Sequence, residues 1–272
     1  MPLTLSGTTG EVFPSWTTGT RPSSPVAGQT GYNTTLRVLE TYNSTTTTWV
    51  VAGSNPQITQ TIYTTGSGTY TVPTGVTWLR VRMIGGGGGG GGSGSSGASA
   101  GGTGGTTTFG SAFLTCNGGA GGNFGTNTGS AGVPPTGGAA SGGDFNATGA
   151  VPAMAPGSNA TGAGNLTNTY GTTGASSVFG SGGQTGANGG GTGGAAQTNS
   201  GAGGGAAGGA SSIYCGAAGA CGGYLEKIIS SPSASYSYAV GAGGTAGAAG
   251  TSGGAGGAGG SGIIIIEEHY NW

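Results

Sequence analysis

Charge is almost absent from this chain. Its 272 residues include five lysines and arginines and six aspartates and glutamates, for a formal net charge of −1 at pH 7. No basic patch is present, so binding to a nucleic-acid backbone is not expected. Long apolar runs are missing as well, so no membrane-spanning helix is predicted. The opening residues, MPLTLSGTTGEVFPSW, have neither a basic segment nor an apolar core, and they predict no secretory signal.

Residues that perform catalysis or bind metals are equally scarce. The only histidine, His269, is far in sequence from the cysteines, and no metal-ligand spacing occurs. Asp144 is isolated, while Glu267 and Glu268 are adjacent and would alternate between the two faces of a strand. The GxGxxG matches follow from glycine content alone, and a GK[ST] motif is missing. We therefore expect no enzyme, no cofactor and no catalytic or metal-binding residues.

The three cysteines are Cys116, Cys215 and Cys221. An odd number does not indicate a disulfide framework. Only five small residues separate Cys215 from Cys221. This spacing allows either a disulfide between them or two small buried thiols.

Glycine is what the chain has in excess, with 72 residues. Disordered chains are usually highly charged and poor in apolar residues, whereas here charge is minimal and the apolar residues are clustered. The clusters predict strands, because their apolar and polar residues alternate and no helical periodicity appears. They lie at residues 57–84, 106–117, 144–156, 165–180, 211–240 and 263–270.

Two of these predicted strands are particularly informative. In TWLRVRMI, Leu79, Val81 and Met83 share one face. The run from Ile263 to Ile266 is apolar on both faces, so it predicts a central strand buried on both sides. We expect it to pair with TWLRVRMI.

Glycine also recurs at every third position. It does so from residue 241 to 262, and shorter runs in the same pattern begin at Gly85, Gly119 and Gly171. The polyproline II type helix has three residues per turn, so such glycines line one edge and allow close approach of neighbouring helices. Its backbone groups must bond to neighbouring helices. If straight, residues 241–262 would span about 70 Å.

These patterns predict an all-β protein with two parts. Residues 1–54 form a small N-terminal β module. Residues 55–272 form a glycine-rich domain, in which a β framework (57–84, 211–240 and 263–270) supports a bundle of polyglycine II type rods (85–210 and 241–262). The alternative is a flexible low-complexity region from 85 to 262.

Residues 18–51 resemble a short β motif found in many bacteriophage virion proteins. The matching residues are Arg21-Pro22, Pro25, Gly28, Tyr32-Asn33-Thr34, Glu40, Tyr42 and Trp49. The resemblance implies a β-hairpin module, of a kind often near fibre or adaptor ends, which would attach the chain to other virion proteins.

Residues 57–272 resemble the glycine-rich domain of phage tail fibres and receptor-binding adhesins. The matching residues are Tyr70-Thr71-Val72-Pro73, Gly75-Val76, Leu79-Arg80-Val81, the run from Gly85, Tyr238-Ala239-Val240-Gly241 and Gly259-Gly260-Ser261-Gly262-Ile263-Ile264-Ile265. The resemblance implies a virion surface protein, made in the bacterial host cytoplasm, whose glycine-rich part faces the host. Fibres are commonly trimeric, so a homo-oligomer such as a trimer is expected.

In such a bundle, turns between rods would bind a host cell-surface glycan or protein. The candidate residues are aromatic and set among Gly, Asn, Ser or Thr: Phe124, Phe145, Tyr170 and Phe179. An aromatic ring flanked by small polar groups suits the face of a sugar. The same rings could instead pack between rods. Two alternative functions remain: a purely structural capsid or neck fibre, and a glycine-rich ice-binding protein.

Overall fold

The structure is a computed structural model, and it describes residues 13–52, 58–126, 133–153, 170–210 and 213–270. Strands and extended segments make up nearly all of these ranges, and they include no α-helix, which confirms the all-β class. The chain divides into two compact units, residues 1–58 with 269–272 and residues 59–268.

The N-terminal unit contains a four-stranded sheet. Its strands are β1 (Ser15–Trp16), β2 (Thr30–Asn33), β3 (Val38–Asn43) and β4 (Thr48–Val51), in the order β1-β2-β3-β4. The β2-β3 and β3-β4 pairs are antiparallel hairpins, whereas β1 is parallel to β2. A short 3-10 turn, Thr18–Thr20, follows β1. The predicted small β module is therefore present.

Two five-stranded sheets form the β framework. Their strands are β5 (Ile58–Tyr63), β6 (Ser67–Thr71), β7 (Val76–Ile84), β8 (Thr107–Phe109), β9 (Leu114–Cys116), β10 (Ala140–Ser141), β11 (Phe145–Ala147), β12 (Tyr224–Ile229), β13 (Ser235–Ala239) and β14 (Ile263–Tyr270). One sheet has the order β10-β9-β8-β13-β6, and the other has the order β11-β12-β7-β14-β5. As predicted, the isoleucine strand β14 lies inside its sheet, directly beside β7.

The two sheets share one apolar core. It combines buried side chains from both: Tyr70, Leu79, Val81, Met83, Phe109, Leu114, Cys116, Leu225, Ile229, Ile264 and Ile266. The predicted inward face of β7, formed by Leu79, Val81 and Met83, is fully buried. Burying one such side chain contributes about 1.5–3 kcal/mol. This cluster is therefore the main hydrophobic anchor of a unit that is otherwise built from glycine and small residues.

The glycine-rich segments form extended rods that bond to one another. The rods comprise residues 85–94, 99–105, 117–125, 136–139, 171–176, 181–187, 191–197, 201–209, 214–223, 241–250 and 253–262. We call residues 85–94 the central rod. Three consecutive N–H groups of this rod, those of Gly88, Gly89 and Gly90, donate to the carbonyls of Ala220, Gly102 and Gly257, at 2.8–2.9 Å. Consecutive residues thus bond to three different rods, as expected for three residues per turn.

The carbonyl groups of the central rod bond to three further rods. Gly88, Gly89 and Gly90 accept from the N–H groups of Gly204, Gly122 and Gly247, at 2.8–2.9 Å. The three rods that donate to these carbonyls run parallel to the central rod, because the residue numbers of bonded partners rise together. The three rods that accept from its N–H groups run antiparallel to it, because their residue numbers fall as those of the central rod rise. The central rod is therefore enclosed by six neighbours, three parallel and three antiparallel.

This enclosure explains the uninterrupted glycine run from 85 to 92. A Cβ atom added at any of these eight positions would lie 1.9–2.3 Å from a backbone carbonyl oxygen of a neighbouring rod. Real Cβ contacts are never that short, so no other residue fits without displacing a rod. A peripheral rod needs glycine only on its inner edge. In rod 241–250, Gly241, Gly244 and Gly247 are buried, while Ala242, Thr245 and Ala248 are exposed.

Rod 201–209 is enclosed in the same way. Gly203, Gly204 and Gly205 donate to three rods through the carbonyls of Ala175, Gly88 and Gly194, and they accept from three others through the N–H groups of Gly183, Gly219 and Gly257. All of these bonds measure 2.8–2.9 Å. Residues 203–205 are therefore also surrounded by six neighbours, whereas Ala202, Ala206 and Ala207 of the same rod are buried at positions that accept a Cβ.

Several boundaries differ from the prediction. Residues 241–262 do not form one straight rod: the chain reverses at Thr251 and Ser252, giving two rods of about 30 Å each. Residues 106–117 form a hairpin, β8-β9, rather than one strand. The described part of the 165–180 cluster is a rod and a turn with no strand. The framework also takes β8 to β11 from within the predicted rod region, and rod 214–223 lies within the predicted framework region.

Candidate functional site

The turns between rods lie at two ends of the bundle. At the sheet end, β7 continues into the central rod at Gly85. At the far end, the central rod finishes, and Gly92, Ser93 and Ser95 donate to the carbonyls of Ser99, Gly254 and Thr251, at 2.9–3.0 Å. Turns 95–98, 188–190 and 251–252 therefore belong to the far end. Rods 117–125 and 201–209 run parallel to the central rod and finish there as well.

Small polar residues build the far-end turns. The Ser96 hydroxyl lies 3.2 Å from that of Thr251, and Ser95 Oγ donates to the Thr251 carbonyl at 3.3 Å. Gly97 and Gly189 adopt φ values of +74° and +80°, which glycine reaches without steric cost. Below these turns, buried Ser93 donates to the Gly208 carbonyl at 2.7 Å and accepts from the Gly254 N–H at 3.0 Å. These bonds fix the base of the far end.

Two of the predicted receptor-binding residues lie at this far end. Phe124 immediately precedes Gly125, whose N–H donates to the Gly92 carbonyl at 3.0 Å, and its side chain is 41% exposed. Tyr170 precedes rod 171–176, at the end where that rod bonds to Gly186, and it is 55% exposed. The bundle of rods leaves both rings accessible to solvent.

The other two predicted residues lie at the sheet end, and one of them is not in a turn. Phe145 is part of strand β11, paired opposite Glu226, because β11 adds an edge strand to β12. Phe179 is in the turn that follows rod 171–176, and its ring packs edge-on against Tyr224, with the ring centroids 5.7 Å apart. Phe145 contacts the same Tyr224, at 6.3 Å. The structure therefore separates the four aromatic residues into two pairs.

Four charged residues lie on the outer face of the β11-β12-β7-β14-β5 sheet: Arg80, Arg82, Glu226 and Glu267. Arg80 bonds to Glu226 at 2.7 Å, and Arg82 bonds to Glu267 at 2.8 Å. Arg80 also lies 3.8 Å from Glu267. As predicted, Glu267 and Glu268 point to opposite faces, since buried Glu268 accepts hydrogen bonds from Thr61 and Tyr70 at 2.7 and 3.1 Å. The outer-face charges thus form a connected row across three strands.

Two further contacts extend this row. The Tyr224 hydroxyl donates to Glu226 at 2.6 Å, and these contacts from Tyr224 and Arg80 lower the pKa of the Glu226 carboxyl. Asp144 is isolated in sequence, but β11-β12 pairing places it beside Lys227, and it also accepts from the Ile228 N–H at 2.8 Å. Lys227, then the Ile228 N–H, lower the pKa of the Asp144 carboxyl. Both acids stay ionised and accept hydrogen bonds.

The motif residues of the N-terminal module surround one buried carboxylate. Glu40 is bonded by Arg21, by the Trp16 indole N–H at 3.1 Å and by the Asn33 amide at 3.0 Å. These partners, Arg21 foremost, lower the pKa of Glu40 from 4.5 to about 2. Trp49 packs edge-on against Trp16, with centroids 4.7 Å apart. Arg21, Asn33, Glu40 and Trp49 therefore hold the module's own fold together.

Thiol chemistry has no accessible group in this chain. All three cysteines are buried thiols, and none of them forms a disulfide. Cys215 and Cys221 lie six residues apart along one rod, which separates them by about 19 Å, too far for a disulfide. Burial raises the pKa of Cys116 to about 12 and that of Cys221 to about 11. Of the two alternatives for Cys215 and Cys221, the structure therefore has two buried thiols rather than a disulfide.

The described ranges contain no group of three or more His, Cys, Asp or Glu residues arranged to hold a metal ion. Over the same part of the chain, no helix has the length and apolar character to cross a membrane.

Sequence reasoning did not identify this group of charged residues, because its members come from four separate segments. Arg80 and Arg82 belong to β7, Glu226 and Lys227 to β12 and Glu267 to β14, and Asp144 precedes β11. One signal was present in the sequence: between residues 59 and 268, every charged residue except Asp144 lies in TWLRVRMI, in YLEKII or directly after the isoleucines. Comparison of the chain with protein-family models, with curated proteins and with solved structures found no match.

Proposed function

We propose that this chain is a structural protein of a bacteriophage virion, part of a tail fibre or short appendage, and that its far end binds a receptor on the bacterial surface. One observation carries the proposal. The far end is a set of short polar turns on a hydrogen-bonded rod bundle, and the exposed rings of Phe124 and Tyr170 lie there. Both rings keep a large part of their surface exposed, 41% for Phe124 and 55% for Tyr170.

Preorganisation favours binding at this end. Turns 95–98, 188–190 and 251–252 join rods that bond to several neighbours, so their backbone is held before any ligand arrives. Binding then costs little conformational entropy, which favours affinity. A ring flanked by glycine and hydroxyl groups offers apolar area together with nearby hydrogen-bonding groups, as a glycan or a loop of an outer-membrane protein requires.

The remaining roles follow from the sequence resemblance. The N-terminal module, residues 1–54, attaches the chain to other virion proteins, and the chain acts as a homo-oligomer, such as a trimer, without catalytic activity. The module suits attachment because its buried Glu40 network gives it a fold that does not depend on the glycine lattice.

Binding of the purified, fluorescently labelled protein to a panel of bacterial strains tests the proposal. We expect saturable binding to a subset of strains, measured by flow cytometry. Phe124→Ser and Tyr170→Ser should each weaken it by about tenfold or more, as for truncation of an aromatic contact at the centre of an interface.

The matched control is Phe113→Ser, because Phe113 is also an exposed ring, 46% accessible, but lies in the β8-β9 hairpin at the sheet end. It should leave binding unchanged. Equal loss from all three substitutions would refute the far end as the binding surface. Failure to bind any strain would instead support a purely structural capsid or neck protein.

A further inference from the structure

The outer face of the β11-β12-β7-β14-β5 sheet contains a cleft that the far-end proposal does not use. Its volume is about 440 Å³. Side chains from β7, β12 and the start of β11 line it: Trp78, Arg80, Asp144, Phe145, Lys227 and Ile228. This cleft is at the sheet end, so it is separate from the turns that carry Phe124 and Tyr170.

The charges around this cleft have no evident folding role. Two cations and two anions line the cleft, Arg80 and Lys227 with Asp144 and Glu226, and the Arg82–Glu267 pair adjoins them through Arg80. Ion pairs at a protein surface stabilise a fold by about 0–1 kcal/mol each. Residues 59–268 contain one other charged residue, Glu268, so this unit gains little stability by gathering its charge here, and this points to recognition.

The balance of these charges limits the ligand. The two positive and two negative groups that line the cleft cancel, so the cleft attracts neither an anion nor a cation as a whole. At the same time the paired groups hold each other in place: Arg80 faces Glu226 at 2.7 Å, and Glu226 is also bonded by Tyr224 at 2.6 Å. Ionised carboxylates accept hydrogen bonds, and guanidinium and ammonium groups donate them. Such a surface suits a neutral ligand with many hydroxyl groups.

Apolar surface completes the cleft. The Phe145 ring is 56% exposed and Ile228 is 55% exposed, with Trp78 half-buried beside them. Aromatic rings next to fixed donors and acceptors match the two kinds of surface on a pyranose ring, its C–H face and its hydroxyl groups.

A second cleft continues from the first. It has a volume of about 320 Å³ and shares Phe145, and its other walls include Ile84, Thr148, Ser177, Val178 and Tyr224. The rings of Phe145 and Tyr224, which touch edge-on, therefore stand between two adjoining clefts. An extended chain of several sugar units would fill both, whereas a single sugar would fill one.

We propose that these adjoining clefts form a binding site for a neutral oligosaccharide, distinct from the far-end receptor surface. Phe145 stacks on a sugar ring, while the Arg80–Glu226 and Lys227–Asp144 pairs bond to its hydroxyl groups. The site is independent of the rods at the far end, and either surface can function without the other.

Titration of the full chain with neutral oligosaccharides tests this site. The probes are maltopentaose, cellopentaose and chitotetraose, with a sialic acid oligomer as the anionic comparison, and binding is measured by saturation-transfer NMR and calorimetry. We expect at least one neutral probe to bind with a Kd below about 1 mM, and the anionic probe to bind at least about tenfold more weakly. Phe145→Ala should weaken the neutral probe by about tenfold or more.

Phe113→Ala is the control, because it removes a similarly exposed ring outside the cleft, and it should leave binding unchanged. Lys227→Met is a second cleft variant that keeps the β12 backbone, and it should also weaken binding. Unchanged thermal unfolding of each variant shows that the fold is intact.

Three outcomes overturn the site: no neutral probe binds, the anionic probe binds best, or Phe145→Ala and Lys227→Met leave binding unaltered. If Phe124→Ser abolishes oligosaccharide binding while Phe145→Ala does not, the cleft proposal fails and the far-end proposal stands.

Discussion

Alanine in place of Gly90 should destabilise the glycine-rich unit far more than a typical addition of one methyl group. A Cβ at this position would lie 1.9 Å from the carbonyl oxygen of Gly205. Ordinary contact begins at 3.4 Å, so rod 201–209 must move by about 1.5 Å. Backbone lies on every side of the central rod, and no flexible side chain is available to make room.

That displacement breaks hydrogen bonds. The bonds from Gly204 to Gly88 and from Ala207 to Gly91 measure 2.8 and 3.0 Å, and a shift of about 1.5 Å takes both beyond bonding range. Each lost bond costs about 1 kcal/mol, and each donor left buried and unbonded costs about 1–3 kcal/mol. We therefore expect Gly90→Ala to lower the free energy of unfolding by about 4–8 kcal/mol, compared with about 1–3 kcal/mol for ordinary overpacking.

A flexible glycine-rich tether would give no change in stability. There the added methyl group restricts the chain equally in the native and in the unfolded protein, so the same substitution would stay within about 0.5 kcal/mol. The experiment thus separates an enclosed rod bundle from a disordered region by whether the free energy of unfolding falls.

Denaturant unfolding of the purified protein, followed by far-ultraviolet circular dichroism, provides the measurement. Ala246→Ser is the matched control, because Ala246 is exposed on rod 241–250 and its change should stay within about 0.5 kcal/mol. The next residue is Gly247, and Gly247→Ala should be destabilising, since a Cβ there would lie 2.4 Å from the Ser99 carbonyl oxygen. If Gly90→Ala unfolds at the same denaturant concentration as the wild type, the enclosed lattice is wrong.

Three further predictions concern individual side chains. The pKa of Glu40 is about 2 in the folded state, against an ordinary value of 4.5. The ionised Glu40 side chain therefore adds at most about 3 kcal/mol to the free energy of unfolding. This stabilisation is present above about pH 4.5 and is lost as the pH falls towards 2. Trp16 fluorescence should report that loss of stability in acid, and the stability of the Glu40→Gln variant should not depend on pH in this range. If the stability of the wild-type module is also independent of pH, the Glu40 network is contradicted. The thiols of Cys116 and Cys221, with pKa values of about 12 and 11, should not react with a thiol reagent at about pH 8 until the protein is denatured, whereas rapid labelling of the native protein would show that they are accessible. Leu79→Ala, which empties a fully buried position, should lower the unfolding free energy by about 2–5 kcal/mol, and a thermal midpoint equal to that of the wild type would argue against the shared core.

The central strands of the framework could be predicted because their residues alternate strongly or are apolar throughout. Leu79, Val81 and Met83 identify the buried face of β7, and the isoleucines identify β14 as an interior strand. Tripeptide spacing identified the rods for a similar reason: only glycine fits where backbone meets backbone, so the positions of glycine record which edges are in contact.

The reversals were harder to predict, because ordinary residues form them. Ser111 and Ala112 adopt φ values of +50° and +69° in the β8-β9 hairpin, and Ser252 adopts +55° in the turn between rods 241–250 and 253–262. Serine and alanine in a sequence do not predict a left-handed backbone conformation, whereas glycine does. At the turn between rods 241–250 and 253–262, glycine also keeps the same three-residue spacing before and after the turn. The sequence pattern therefore gives no sign that the chain reverses there.

The clefts could not be derived from sequence at all. Trp78, Asp144 and Lys227 are far apart along the chain, and only the strand order β11-β12-β7 brings them to one cleft. Asp144 in particular has no local signal, because its partner Lys227 is 83 residues away. Side-chain sites assembled from several strands depend on pairing register, which alternation alone does not specify.

The threefold repeat has a consequence for insertions and deletions. Adding one or two residues within a rod would rotate every later side chain towards the wrong neighbour, and alanine or threonine would meet backbone. Adding three residues restores each glycine to its edge and only lengthens the rod by about 9 Å. Length changes inside rods should therefore be tolerated in multiples of three, whereas the far-end loops can gain or lose any number of residues. A protein built this way can alter its exposed tip freely while its scaffold stays in phase.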